Sequence, residues 1–95
     1  MSLKLLITFQ VKEEKLEAFL QLLQEVKVSL PKVGGCHGVQ VFQSTKQKHT
    51  IMLLESWQSV EKHKAHIEEV ISAGGWEKIA SHLSVEPVSD YVHEL

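Results

Sequence analysis

The chain has 95 residues, enough for one domain spanning 1–95 with a thin hydrophobic core. A composition of 43% hydrophobic and 23% charged residues excludes a disordered chain. The formal net charge of −2, with no basic cluster interleaved with aromatics, leaves no electrostatic footprint for nucleic acid, and no apolar run is long enough to span a bilayer.

The opening residues Met1 to Leu6 lack a long apolar leader and already alternate like a strand, so a cytoplasmic location is expected. Cys36 is the single cysteine, which rules out an internal disulfide and fits a reducing compartment.

Residues 3–11 place Leu3, Leu5, Ile7, Phe9 and Val11 on alternate positions, the signature of a strand with one apolar face. Over residues 12–30 the period changes. Leu16, Phe19, Leu20, Leu23, Val26 and Leu30 fall on one helical stripe, and Glu13, Glu14 and Glu17 suit the positive helix start. Pro31 ends this helix and Gly34-Gly35 marks a turn. Residues 39–45 predict a second strand, Lys46-Gln47-Lys48 a hairpin loop, and residues 50–57 a third strand. Ser59 is placed to cap a helix over about 60–72, which Gly74-Gly75 breaks. Trp76, Ile79, Ala80 and Leu83 stripe a short helix. Residues 84–93 predict a last strand, with Pro87 restricting it to a sheet edge or a bulge.

The order β-α-β-β-α-β with right-handed crossovers predicts an α+β, ferredoxin-like fold: a four-stranded antiparallel sheet with helices on one face. The other face should then be polar in a monomer. It is not, because Leu6, Phe42, Met52 and Leu54 point away from the helix-facing residues. A homodimer packed through this sheet face is the expected cover.

The stretch Gly34-Gly35-Cys36-His37-Gly38-Val39-Gln40-Val41 enters the second strand, and Glu55-Ser56-Trp57-Gln58-Ser59 closes the third. His66 follows in the next helix, and Glu86-Pro87-Val88 opens the last strand. In this order and spacing these residues resemble the antibiotic biosynthesis monooxygenase family of dimeric α/β-barrel proteins, over nearly the whole chain. The resemblance implies a small homodimer that oxidises a phenolic or quinol-type aromatic with molecular oxygen, without metal or flavin. The same fold hosts haem-degrading enzymes and an isomerase of a signalling sugar phosphate. Haem-degrading relatives pair the strand Trp and helix His with an Asn in the first strand; Leu6-Ile7-Thr8-Phe9-Gln10 has none, which argues against haem chemistry here.

Several residues are candidates for chemistry. Trp57 either stacks on a planar substrate or is a core Trp at a strand end. Glu55 shares its face, and a buried carboxylate must be paired, protonated or in a wet cavity; it is a candidate base or the partner of a Lys. His66 is a candidate base for a phenol or quinol hydroxyl, or a boundary histidine bonded to backbone. His63 and His66 stand three residues apart on a helix, but no Cys or carboxylate completes a ligand set, so no metal is expected. Cys36 and His37, adjacent on a strand, point to opposite faces, which favours Cys36 as a small buried residue over a nucleophile. The expected pocket is floored by Ile7, Phe9 and Trp57 and roofed by His66 and Trp76. The leading expectation is a cofactor-independent oxygenase with His66 or Glu55 as base. A non-catalytic ligand-binding or interaction module and an isomerase or decarboxylase of a small polar metabolite are the alternatives.

Overall fold

A computed structural model describes residues 3–95. The elements are β1 (Leu3–Gln10), α1 (Leu16–Ser29), β2 (Cys36–Gln43), β3 (Thr50–Trp57), α2 (Val60–Ser72), α3 (Gly75–Ala80) and β4 (Val88–Val92). The strands form one antiparallel sheet in the order β2-β3-β1-β4, the α+β ferredoxin-like arrangement.

Alternation along β1 and β3 decides which side chains meet the helices. Leu5, Ile7 and Phe9 on β1 and Ile51, Leu53, Glu55 and Trp57 on β3 are buried, and the residues between them are half-buried. Register puts Leu5 beside Glu55, Ile7 beside Leu53 and Phe9 beside Ile51. α1 lays Phe19 and Leu23 onto this face, and the Phe9 and Phe19 rings meet edge to face at 5.2 Å. Full burial of Phe19 contributes about 1.5–3 kcal/mol.

Three boundaries differ from those expected. The first helical stretch is a 3-10 turn (Glu13–Lys15) followed by α1, with a second 3-10 turn at Leu30–Lys32 where Pro31 enters. β2 begins at Cys36 rather than at 39 and ends at Gln43, because a bulge between Cys36 and Gly38 keeps the glycine-rich entry paired to β3. The last strand is confined to Val88–Val92 at the sheet edge. Pro87 just before it has no N–H to give a ladder.

α2 is seated at its start. Ser59 Oγ accepts from the Lys62 N–H at 3.2 Å, and Gln58 N–H donates to the Gly35 carbonyl at 2.7 Å. Gly35 has φ of 93°, and a Cβ there would lie 2.7 Å from Cβ of Lys62, so the stem of Lys62 rests on bare backbone.

The helix-free face carries an apolar belt. One row runs Phe42, Met52, Thr8 and Val88, and the next joins Leu54 to Leu6. Phe42 is 45% exposed and Val88 71% exposed in the single chain. No helix among the described residues is long and apolar enough to cross a membrane.

Candidate functional site

Helix α1 covers one half of the sheet closely; α2 and α3 stand off the other half. The space left is an open cleft of about 780 Å³. Its floor is Leu5 and Ile7 of β1, with Ser89 of β4. Its roof is His63, Ile67 and Ile71 of α2 with Trp76 and Ala80 of α3, and the segment from Leu83 to Pro87 closes a side. The lining is mainly aliphatic and aromatic, with a few polar groups, the general makeup of a small-molecule site.

His63 is the one histidine in this lining. Its ring sits edge to face with Trp57 at 5.3 Å, and its Nδ1 is 2.8 Å from Tyr91 Oη. Tyr91 reaches it from β4, with the two rings 5.5 Å apart and nearly perpendicular. His66, one turn further along α2, leans on the same indole at 5.4 Å. Trp57 is therefore roofed by two imidazoles and is fully buried.

Beneath them, Trp57 Nε1–H donates to Glu55 Oε1 at 2.7 Å. Glu55 is 6% exposed, and among the described residues no buried side-chain polar atom lacks a partner. Glu55 is thus engaged by an indole N–H rather than by a Lys.

Burial sets the electrostatics. It pushes the Glu55 carboxyl above the ordinary carboxylate range, and the Trp57 N–H acts in the opposite sense. It lowers His63 below the ordinary imidazole value, and nearby His66 adds to that; His66 is also lowered by burial, opposed by Glu69. Burial raises the Tyr91 phenol, and the charge of Glu55 raises it further. Cys36, buried below Trp57 beside Leu30, is raised chiefly by burial, while its neighbour His37 is exposed. These groups favour a neutral imidazole facing an apolar cleft.

Of the residues singled out from sequence, Ile7 and Trp76 line the cleft. Trp57, Glu55 and His66 form a connected cluster behind His63 and do not line it, and Phe9 lies in the main core. His63 appeared from sequence only as half of a metal pair; among the described residues no three His, Cys, Asp or Glu come together to hold an ion. Tyr91 carried no sequence signal, because its relation to α2 depends on β4 pairing with β1.

Comparison with known proteins supports this frame. No curated protein matches the chain. Among solved structures, a conserved protein of Methanosarcina mazei Go1 superposes with a TM-score of 0.87 at 20% identity, covering 100% of this chain and 94% of that one. An antibiotic biosynthesis monooxygenase gives 0.85 at 16%, covering 98% of each. A conserved protein of unknown function from Bacteroides thetaiotaomicron, described as a possible oxidoreductase, gives 0.79 at 21%, covering 96% and 97%. At such identities these likenesses establish the fold alone. The family model described as antibiotic biosynthesis monooxygenase matches residues 2–69, most of the chain, and the protein belongs to that family.

Proposed function

We propose that the protein is a cofactor-independent monooxygenase acting on a small phenol- or quinol-type aromatic, and that it works as a homodimer joined through the helix-free sheet face. The observation that carries this reading is a single imidazole, His63, held below its ordinary pKa by burial and set into an otherwise largely apolar cleft. The apolar belt of Leu6, Phe42, Met52 and Leu54 supports the dimer.

For a phenol with a free para position the chemistry balances without an outside reductant. His63 takes the hydroxyl proton, and the phenolate passes one electron to O2. The phenoxyl radical and superoxide join at the para carbon, and the peroxide takes the proton back from His63. Loss of the ring C–H proton with cleavage of the O–O bond releases water and leaves a quinone. One oxygen atom enters the product, and the substrate supplies all four electrons. The apolar walls favour the step because less water competes for the anion. In this reading Ile7 and Trp76 hold the ring, Trp57 and Glu55 support His63 from below, and His66 buttresses the indole.

Oxygen uptake with a panel of phenols and quinols tests the proposal, with ¹⁸O₂ labelling to follow one atom into product. Uptake by the wild type and a fall of about 10²–10⁴-fold in His63→Ala are expected. Equal rates in the two proteins, or no uptake with any member, would overturn it.

One observation favours a non-catalytic binding module instead: Glu55 and His63 both already hold partners within the chain, Trp57 and Tyr91. That reading predicts saturable binding of an aromatic with no oxygen consumed. An isomerase of a phosphorylated metabolite is disfavoured, because the lining holds no lysine and the chain has no arginine.

A further inference from the structure

Tyr91 Oη lies 2.8 Å from Nδ1 of His63, and among the described residues this is the one side-chain hydrogen bond between α2 and the sheet. It spans two elements that do not otherwise meet closely. β4 is a five-residue edge strand, while α2 stands above the cleft. Leu5 of β1 lies between Glu55 of β3 and Tyr91 of β4 in the ladder, so carboxylate and phenol rise from the same sheet face on either side of its side chain.

We infer that Tyr91 is the positioning residue for His63: its oxygen accepts the Nδ1–H, and Nε2 is left as the unprotonated nitrogen offered to the cleft. The inference rests on the proposed function for the identity of the base.

The physical reason lies in which groups surround the phenol. A hydroxyl can donate or accept, so the bond to Nδ1 is compatible with either imidazole tautomer. The tautomer of a histidine is set by the partner of its other nitrogen. Glu55 is engaged by the Trp57 N–H and makes no hydrogen bond to the phenol; a base that offers Nε2 must carry its proton on Nδ1, and the Tyr91 oxygen is the acceptor within reach of that nitrogen. The other titratable groups around this cluster are His66 and Glu69 on α2 and Cys36 on β2; among the described residues none of them hydrogen-bonds the phenol or Nδ1. The result is a nucleophile-and-orienter logic applied to a base: a reacting nitrogen and a hydroxyl that holds the ring. Tyr91 does not line the cleft, so it acts through His63 rather than on the substrate.

The test is ¹⁵N–¹H correlation spectroscopy of the histidine rings in wild type, Tyr91→Phe and Glu55→Gln, with oxygen uptake measured in parallel. His63 in the wild type is expected to carry its proton on Nδ1. In Tyr91→Phe it reverts mainly to the Nε2–H form, the His66 signals do not move, and kcat falls about tenfold with KM little changed. Glu55→Gln, which keeps an acceptor for Trp57 and does not touch Nδ1, leaves the tautomer as in the wild type. A wild-type His63 protonated on Nε2, or a His63 spectrum unchanged in Tyr91→Phe, would overturn the inference. The spectra decide the role of Tyr91 and oxygen uptake decides the function, so the two fail separately.

Discussion

The indole N–H of Trp57 donates to the carboxylate of Glu55 at 2.7 Å, two positions back on the same strand face. Each residue removes the other's burial problem, since an indole N–H and a carboxylate both lose water when α2 closes over them. Glu55→Ala leaves the Trp57 N–H unsatisfied and is expected to cost about 1–3 kcal/mol. Glu55→Gln retains an acceptor and costs less. Urea denaturation midpoints of the two variants against the wild type measure the difference; an Ala variant as stable as the Gln variant would contradict this role.

The same carboxylate gives a pH dependence of fixed sign. Burial raises the folded-state pKa of Glu55 above its unfolded value of about 4.5, so the native state holds the proton longer than the unfolded chain. Stability from this site is complete below the unfolded value and declines as pH rises through the window up to the folded value. Glu55→Gln removes the ionisation. Its melting temperature relative to wild type is therefore expected to rise with pH across that window, as followed by circular dichroism in matched buffers. A constant difference would show that Glu55 titrates normally.

Much of the fold was legible because local and long-range signals agree. The Leu5-Ile7-Phe9-Val11 alternation marks the core face of β1, Ser59 caps α2, and Gly74 takes the left-handed conformation that ends it. The site was less legible. His63 and His66 lie on one helical stripe, and periodicity cannot say which of them enters the cleft. That choice is made by where α2 lands, through the contact of Lys62 with Gly35, which is tertiary information. Tyr91 sits on a strand whose pairing spans the whole chain, and its neighbours Ser89 and Asp90 break the alternation that would mark an inward face.

Gly35 is therefore expected to matter to the site as well as to the turn. Gly35→Ala must hold a left-handed conformation and must push Cβ of Lys62 away from 2.7 Å, next to His63 in α2. A loss of about 1–3 kcal/mol is expected, together with a weakened His63–Tyr91 bond. Thermal denaturation reports the first, and the His63 ring resonances report the second. An unperturbed His63 would show that the turn and the site are independent.

On the helix-free face, Leu54→Glu puts a charge at the centre of the apolar belt, opposite Leu6. If that belt is the contact between copies, burying an unpaired carboxylate there is costly enough to separate them. Sedimentation velocity is expected to show a dimer for wild type and a 10.8 kDa monomer for the variant. A wild-type monomer would remove the dimer from the proposal.

His66 offers a test of the base that does not depend on abolishing activity. A histidine accepts a proton only when neutral, so the rate falls as pH drops through its pKa. Burial and the proximity of His66 both hold His63 below the ordinary value of 6.5, which places the acid limb of kcat/KM below that pH. His66→Ala removes the neighbouring imidazole and admits water beside His63, and both changes raise its pKa. The acid limb is therefore expected to move upward while the plateau rate changes little, because His66 does not line the cleft. If His66 were itself the base, the plateau would fall by about 10²–10⁴-fold instead. A pH–rate profile of wild type and His66→Ala separates these outcomes in one experiment.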